Sequence, residues 1–355
     1  MKPRFFLAAL AIGTLIWPGR GVAQDFPYQV FERYLEPLAQ QIGMPGLSAL
    51  ILRNNRIEWQ RGYGYADAEG KVPATIDTPY PIGGVTQAIT GVLIGICVDR
   101  FQLQVDQGIR EFVPAFPTDV RVRQVLAHAS ENRFRYDPGT FSALTPVVER
   151  CHGRPYRVAA AVEVLDRLIM TRSVPGLDLA RPEGAGARTL FEAPILAHYD
   201  RLLREVAVPY RLTRDGYARS AYPSYGLDAA GGLVATARDL ANFEGSLDDG
   251  IDNIPLGTST LNQMWSPQTF EIGNNQTLTT PTGLGWFVQN ASGQRLVWTF
   301  GHIPDAGSAL ILKMPSKRLT LILLANSGGL AAGNNFELGD VTTSPFVRVF
   351  LRLFI

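Results

Sequence analysis

An enzyme that attacks an acyl carbonyl needs an oxygen or sulfur nucleophile with a base beside it. This chain offers few bases. Its lysines are Lys2, Lys71, Lys313 and Lys317, and three places before the last three stand Ala68, Leu310 and Met314. No serine or threonine therefore precedes a lysine by one helical turn, the spacing that puts both side chains on one face. No Gly-x-Ser-x-Gly elbow occurs either. The four histidines, His128, His152, His198 and His302, form no His-Glu-x-x-His or other close metal spacing, so neither a metal nor a cofactor is expected. His128 is expected to tie a loop by hydrogen bonds. His152-Gly153 reads as a helix end, and His198 as an exposed or packing residue on a helix over 193–204.

The elements that must position any site follow from periodicity. Residues 28–41 place Val30, Phe31, Tyr34, Leu35 and Leu38 on one helical side. Leu47 to Leu52 and Ile57 to Tyr65 read as strands joined at Asn54-Asn55. From about 81 to 225 the pattern is helical and rich in loops, and 157–220 is its least legible part. Thr236 with Asp239 three residues later marks a capped helix start. Strands are expected at 285–289, 296–300, 307–312 and 319–325, with an amphipathic helix or strand at 346–355. The expected fold class is α/β of the α+β type: an antiparallel sheet flanked by helices, with a mainly helical insertion. The boundaries are 24–80 with 225–355 for the sheet domain and 81–224 for the insertion, with a cleft between them.

The chain has 355 residues, of which 46% are hydrophobic and 18% charged, enough apolar material for a large core. Residues 1–23 read as a secretory leader: Lys2 and Arg4, an apolar stretch from Phe5 to Trp17, and a small-residue cleavage site at Gly21-Val22-Ala23. Loss of Lys2, Arg4 and Arg20 takes the formal charge from +1 to −2. No nucleic-acid partner and no membrane span after cleavage are expected, and the protein is expected to be periplasmic or extracellular. Cys97 lies in an apolar helical run and reads as a buried free thiol, although an oxidising compartment would permit pairing with Cys151.

Several phrases in order resemble one family: "GMPGLSALILRNNRIEWQRGYGYAD" at 43–67, "TPYPIGGVTQAITGVLI" at 78–94, "VRVRQVLAHAS" at 120–130, "FRYDPGTFSALTPVVERCHGRPY" at 134–156, "AAGGLVATARDLANF" at 229–243, "TGLGWFV" at 282–288 and "FGHIPDAGSALILKMPSKRLTLILLANS" at 300–327. Together they resemble the serine β-lactamase-related family, the class C and penicillin-binding-protein-like hydrolases. The resemblance implies a β-lactamase/transpeptidase-like fold and three catalytic stations. A Ser-x-x-Lys pair supplies nucleophile and base, a Tyr-x-Asn loop shuttles protons, and a His- or Lys-Thr-Gly strand lines the pocket. Here the first station holds Gly84 and Gln87, and a neutral amide is no base. The second keeps Tyr136 but has Pro138 at the Asn position. The third keeps His302 but has Pro304 in place of glycine.

The resulting expectation is an inactive relative of a serine hydrolase. Gly83, Gly84, Gln87, Tyr136 and His302 are the expected ligand-binding residues, with Tyr136 and His302 as residual catalytic candidates. Gly83-Gly84 is expected at a helix N-terminus, whose N–H groups suit a carbonyl, a carboxylate or another anion. Loss of the serine is expected to enlarge the site. The expected partner is a peptide-like or acyl small molecule, or a protein. Two other readings stay open: an active esterase, β-lactamase or D-peptidase whose nucleophile has moved, with Ser130, Ser308 or Tyr136 as candidates, or an envelope scaffold without a small ligand. Thr86, about 200° around the helix from Gly84, should face away.

Overall fold

The fold is described from a computed structural model covering residues 22–249, 254–273 and 275–355. Residues 1–21, which carry the basic start and apolar stretch of the expected leader, lie outside them. Helix α1 (Val22–Ile42) leads into strands β1 (Gly46–Arg53), β2 (Arg56–Asp67) and β3 (Val72–Pro73). The middle of the chain contains helices α2 (Thr86–Asp99), α3 (Thr145–His152) and α4 (Ala193–Arg204). Helix α5 (Ala237–Asp249), strands β4 (Phe287–Ala291), β5 (Gln294–Ile303), β6 (Gly307–Met314) and β7 (Leu319–Ala325), and helix α6 (Pro345–Phe354) complete it. The seven strands form one antiparallel sheet in the order β4-β5-β6-β7-β1-β2-β3.

The first and last strands of the chain therefore meet at the middle of the sheet, where Leu50 pairs with Ile322 of β7 and with Gln60 of β2. Asn54 and Asn55 both take positive φ, 47° and 60°, as the tight β1–β2 hairpin requires. Because side chains alternate along a strand, β1 serves two cores. Leu47, Ala49 and Ile51 pack with Phe31 and Leu35 of α1 and Phe346 and Phe350 of α6. Leu50 and Leu52 belong with Val92 and Ile96 of α2 and Leu240 and Phe243 of α5. The terminal segment left open as helix or strand is α6, begun by a Ser344 hydroxyl cap and Pro345 in its first turn.

Helix α2 is buried along residues 86–97, which explains its nearly unbroken apolar sequence. A disulfide ties it to α3: Cys97 and Cys151 are bonded, with their Cα atoms 6.2 Å apart. The expectation of a free Cys97 thiol is thus corrected. Its apolar surroundings were legible, but the partner comes from a helix 54 residues away in sequence. His152, at the end of α3, stands with Nε2 3.0 Å from the Leu93 carbonyl oxygen, so it serves α2 rather than capping its own helix. Gly153 ends α3 in the left-handed conformation. Replacing both cysteines with serine is expected to lower the unfolding free energy by about 2–4 kcal/mol, read by urea denaturation. An unchanged midpoint would show that the staple contributes nothing.

Thr236 caps α5 as expected, its hydroxyl accepting from the Asp239 N–H at 3.1 Å. The Asp239 carboxylate does not close a capping box. It accepts instead from the Arg172 N–H and the Ser173 hydroxyl, both at 2.8 Å, and so ties α5 to the 170s loop. A buried charge cluster joins α5 to the sheet. Lys313 on β6 is fully buried, and its Nζ reaches the Glu244 carbonyl oxygen at 3.0 Å, Glu244 Oε2 at 3.0 Å and Asp248 Oδ1 at 2.8 Å. The same ammonium lies over the Trp265 ring, 4.8 Å from its centroid. Burial pushes the Glu244 carboxyl above its ordinary range.

Candidate functional site

The site is built where strand β5 runs beside the entry to α2. Residues Gly83–Val85 form a single 3-10 turn ahead of the helix, and α2 begins at Thr86, itself buried. Gly83 and Gly84 thus stand in the turn that runs directly into α2, at the N-terminal end of the helical segment as expected. A Cβ on Gly301 of β5 would stand 1.9 Å from the Ile82 carbonyl oxygen, so strand and turn meet backbone to backbone. Gly83 has φ +52°, a conformation that suits glycine.

Gly84 occupies the position of the absent nucleophile. A Cβ built there would lie 2.5 Å from Tyr136 Oη and 2.7 Å from the Phe300 carbonyl oxygen. The space a serine would fill is already occupied. The tyrosine hydroxyl and the strand carbonyl stand against the glycine, so the missing side chain leaves no gap at this point. The Tyr136 ring is held by neighbours on several sides, with centroids 5.0 Å from Phe300, 5.8 Å from Phe287 and 4.8 Å from His128.

Behind the glycine runs a directed relay. The Asp137 N–H donates to His128 Nδ1 at 3.2 Å, which assigns the ring proton to Nε2. Nε2–H then donates to Gln87 Oε1 at 3.1 Å, and Gln87 Nε2–H donates to Tyr136 Oη at 3.2 Å. His128 thus ties a loop, as expected, and its partner on α2 is Gln87. Burial holds the Tyr136 phenol well above its ordinary range. Burial also pushes His128 down, from 6.5 to about 3, only partly opposed by Asp137. Since the unfolded chain binds this proton more readily, His128 supports stability fully above pH about 6.5 and loses that support as pH falls towards about 3. The thermal midpoint is expected to fall across that window, and His128→Gln to flatten the fall. Identical slopes in the two proteins would exclude the assignment.

A cavity of about 360 Å³ opens in front of this relay. Gly83, Gly84, Tyr136 and His302 line it, and so do Pro138 and Pro304, the two departures from the resembled motifs. Gln87 does not. It is only 3% exposed and acts from behind, which corrects its place among the expected ligand-binding residues. Pro138 opens a short helix, Pro138–Phe141, capped by Asp137, whose carboxylate accepts from the Thr140 N–H at 3.1 Å and the Thr140 hydroxyl at 2.8 Å. A proline suits that first helical position. Thr86 faces away, its hydroxyl accepting from the Leu233 N–H. Ser308 is buried and donates to the Ser327 carbonyl oxygen at 2.6 Å, and neither it nor Ser130 is among the residues that line the cavity.

Four polar side chains in the lining were not singled out from sequence: Ser142, Tyr225, Asp228 and Glu337. Asp228 closes an Asx turn, accepting from the Ala230 and Gly231 N–H groups at 2.7 and 3.1 Å and from the Ser142 hydroxyl at 2.8 Å. The Asp-Ala-Ala-Gly sequence was a legible sign of that turn. Glu337, on a 3-10 turn late in the chain, gave no local sign. Among the described residues, no lysine or arginine lines the cavity. Burial holds His302 below the ordinary histidine range, against the opposing pull of Glu337 and Asp305, so its ring is neutral at pH 7. Among the described residues, the one grouping of metal-ligand types is Cys97, Cys151 and His152, whose two thiols are joined to each other.

The family model described as Beta-lactamase matches residues 31–338. Among curated proteins, Protein flp of Staphylococcus aureus (strain N315) is 30% identical over 109 residues, covering 29% of this chain and 22% of that protein. A Beta-lactamase of Pseudomonas fluorescens is 31% identical over 91 residues, covering 26% of this chain and 25% of that one. The match thus spans about a quarter of either relative's length. Among solved structures, the octameric penicillin-binding protein homologue from Pyrococcus abyssi superposes with a TM-score of 0.69 at 21% identity, covering 85% of this chain and 74% of that one. The D-amino acid amidase from Ochrobactrum anthropi SV3, complexed with L-phenylalanine amide, gives 0.68 at 19%, covering 92% and 98%. The class C beta lactamase from Rhodobacter sphaeroides gives 0.67 at 14%, covering 93% and 98%. With the antiparallel sheet, the helix behind it and the cleft between β5 and the Tyr136 loop, these matches place the chain in the β-lactamase family of serine-hydrolase-fold proteins.

Proposed function

We propose that this family member is an exported protein whose cleft binds a peptide-like or acyl small molecule without acylation. The observation that carries the reading is position 84. No side-chain oxygen is available there, and the room for one is taken by Tyr136 Oη and the Phe300 carbonyl oxygen. The base position supports it too, because the Gln87 amide spends its oxygen on His128 and its N–H on Tyr136. In other serine hydrolases, loss of the nucleophile costs on the order of 10⁶ in turnover. Export is supported by the leader-like residues 1–23 and by a disulfide that persists in oxidising compartments.

The test is intact mass after incubation of the purified protein with a β-lactam or a fluorophosphonate probe. An unchanged mass is expected. A stoichiometric adduct on a native residue would overturn the reading in favour of a hydrolase with a relocated nucleophile.

A further inference from the structure

The charge of the cleft goes further than its shape. We infer that the ligand is a small molecule with an ammonium group beside an apolar body. The inference rests on the non-acylating reading and names the ligand class of the same site. Two partly exposed aromatic residues, Tyr136 and Tyr225, line the cavity together with two carboxylates, Asp228 and Glu337. The one other titratable side chain besides the tyrosines is His302, which is neutral at pH 7. Aromatic faces and carboxylates both attract a cation, while among the described residues nothing with a formal positive charge lines the wall to receive an anion.

The two carboxylates differ in what they are free to do. Asp228 already accepts from two backbone N–H groups and the Ser142 hydroxyl, so it supplies a fixed charge. Glu337 makes no hydrogen bond or ion pair within the described residues, and its charge acts on both Tyr136 and His302. It is therefore the carboxylate positioned to meet the ligand's N–H donors. The Tyr136 hydroxyl accepts from Gln87, and its own hydrogen finds no acceptor among the described residues, which leaves one donor at the cavity wall for a ligand carbonyl. This electrostatic pattern disfavours the carboxylate ligand suggested by the glycine turn, since Asp228 and Glu337 would repel it.

The experiment compares three probes of one shape by isothermal titration at pH 7: 2-phenylethylamine (a cation), 2-phenylethanol (neutral) and phenylacetate (an anion). The amine is expected to bind on the order of tenfold more tightly than the alcohol, and phenylacetate more weakly than either. Glu337→Gln is expected to remove most of the amine's advantage and to leave the alcohol unchanged. Asp228→Asn, which keeps an acceptor for the Asx turn, is expected to do the same to a smaller degree. Circular dichroism melting confirms that both variants fold. Equal binding of amine and alcohol, tighter binding of phenylacetate, or no binding of any probe would overturn the inference. None of those results produces a covalent adduct, so the intact-mass test of the non-acylating reading remains separate.

Discussion

Gly84→Ser, alone or with Gln87→Lys, is expected to give a less stable protein that still fails to turn over a chromogenic ester. A Cβ at position 84 falls 2.5 Å from Tyr136 Oη and 2.7 Å from the Phe300 carbonyl oxygen. Those are overlaps, so either the tyrosine must leave its packed place or the strand must shift. Overpacking of this kind costs about 1–3 kcal/mol. The second substitution adds to the damage. Gln87 is 3% exposed and accepts the only proton on the His128 ring. A lysine there would remove that acceptor and bring a charge into a buried position. The double variant is expected to melt lower than Gly84→Ser alone, with ester hydrolysis indistinguishable from that of the parent protein. Robust hydrolysis by the double variant would show that the cleft still holds the rest of a working catalyst.

Lys313→Met is expected to lower the unfolding free energy by about 3–5 kcal/mol, measured by urea denaturation at pH 7. The lysine is buried beside two acidic side chains, Glu244 and Asp248, and its removal takes away the cation that both of them meet. The Glu244 carboxyl is already raised by burial, and loss of the ammonium would raise it further. Part of the loss should return as the pH is lowered and Glu244 takes up a proton, which burial favours. Adding Glu244→Gln to Lys313→Met should recover part of it at pH 7. If Lys313→Met were as stable as the parent, the cluster would have no structural role.

Much of the fold was legible because it follows local periodicity. Strands β1 and β2 and their Asn54-Asn55 turn were readable, as were β4 to β7 and helices α1, α4 and α5. Apart from α4, residues 157–220 were not, for a physical reason. They fold as short irregular pieces, including a π-helical turn at Ala161–Asp166 and a hairpin of Tyr210–Thr213 with Gly216–Arg219. Such pieces are set by tertiary contacts, for example the buried Arg157–Asp178 pair at 2.8 Å, and carry no amphipathic repeat. At the site, the absence of a Ser-x-x-Lys pair was plain in the sequence. What replaced it was not. That the Tyr136 hydroxyl stands over Gly84, and that Cys97 meets Cys151, depends on segments far apart in the chain. Glu337 escaped notice for the same reason, since a lone glutamate on a loop carries no local pattern.

The relay behind the cleft has one more consequence. A file of imidazole, water and hydroxyl groups can conduct a proton, because each member can take one at one atom and release one at another. An amide cannot do so cheaply, since it would have to pass through its imidic acid form. Gln87 is the link between His128 and Tyr136. It therefore acts as an insulator, holding the imidazole and the phenol in register while keeping their protons from being exchanged through it.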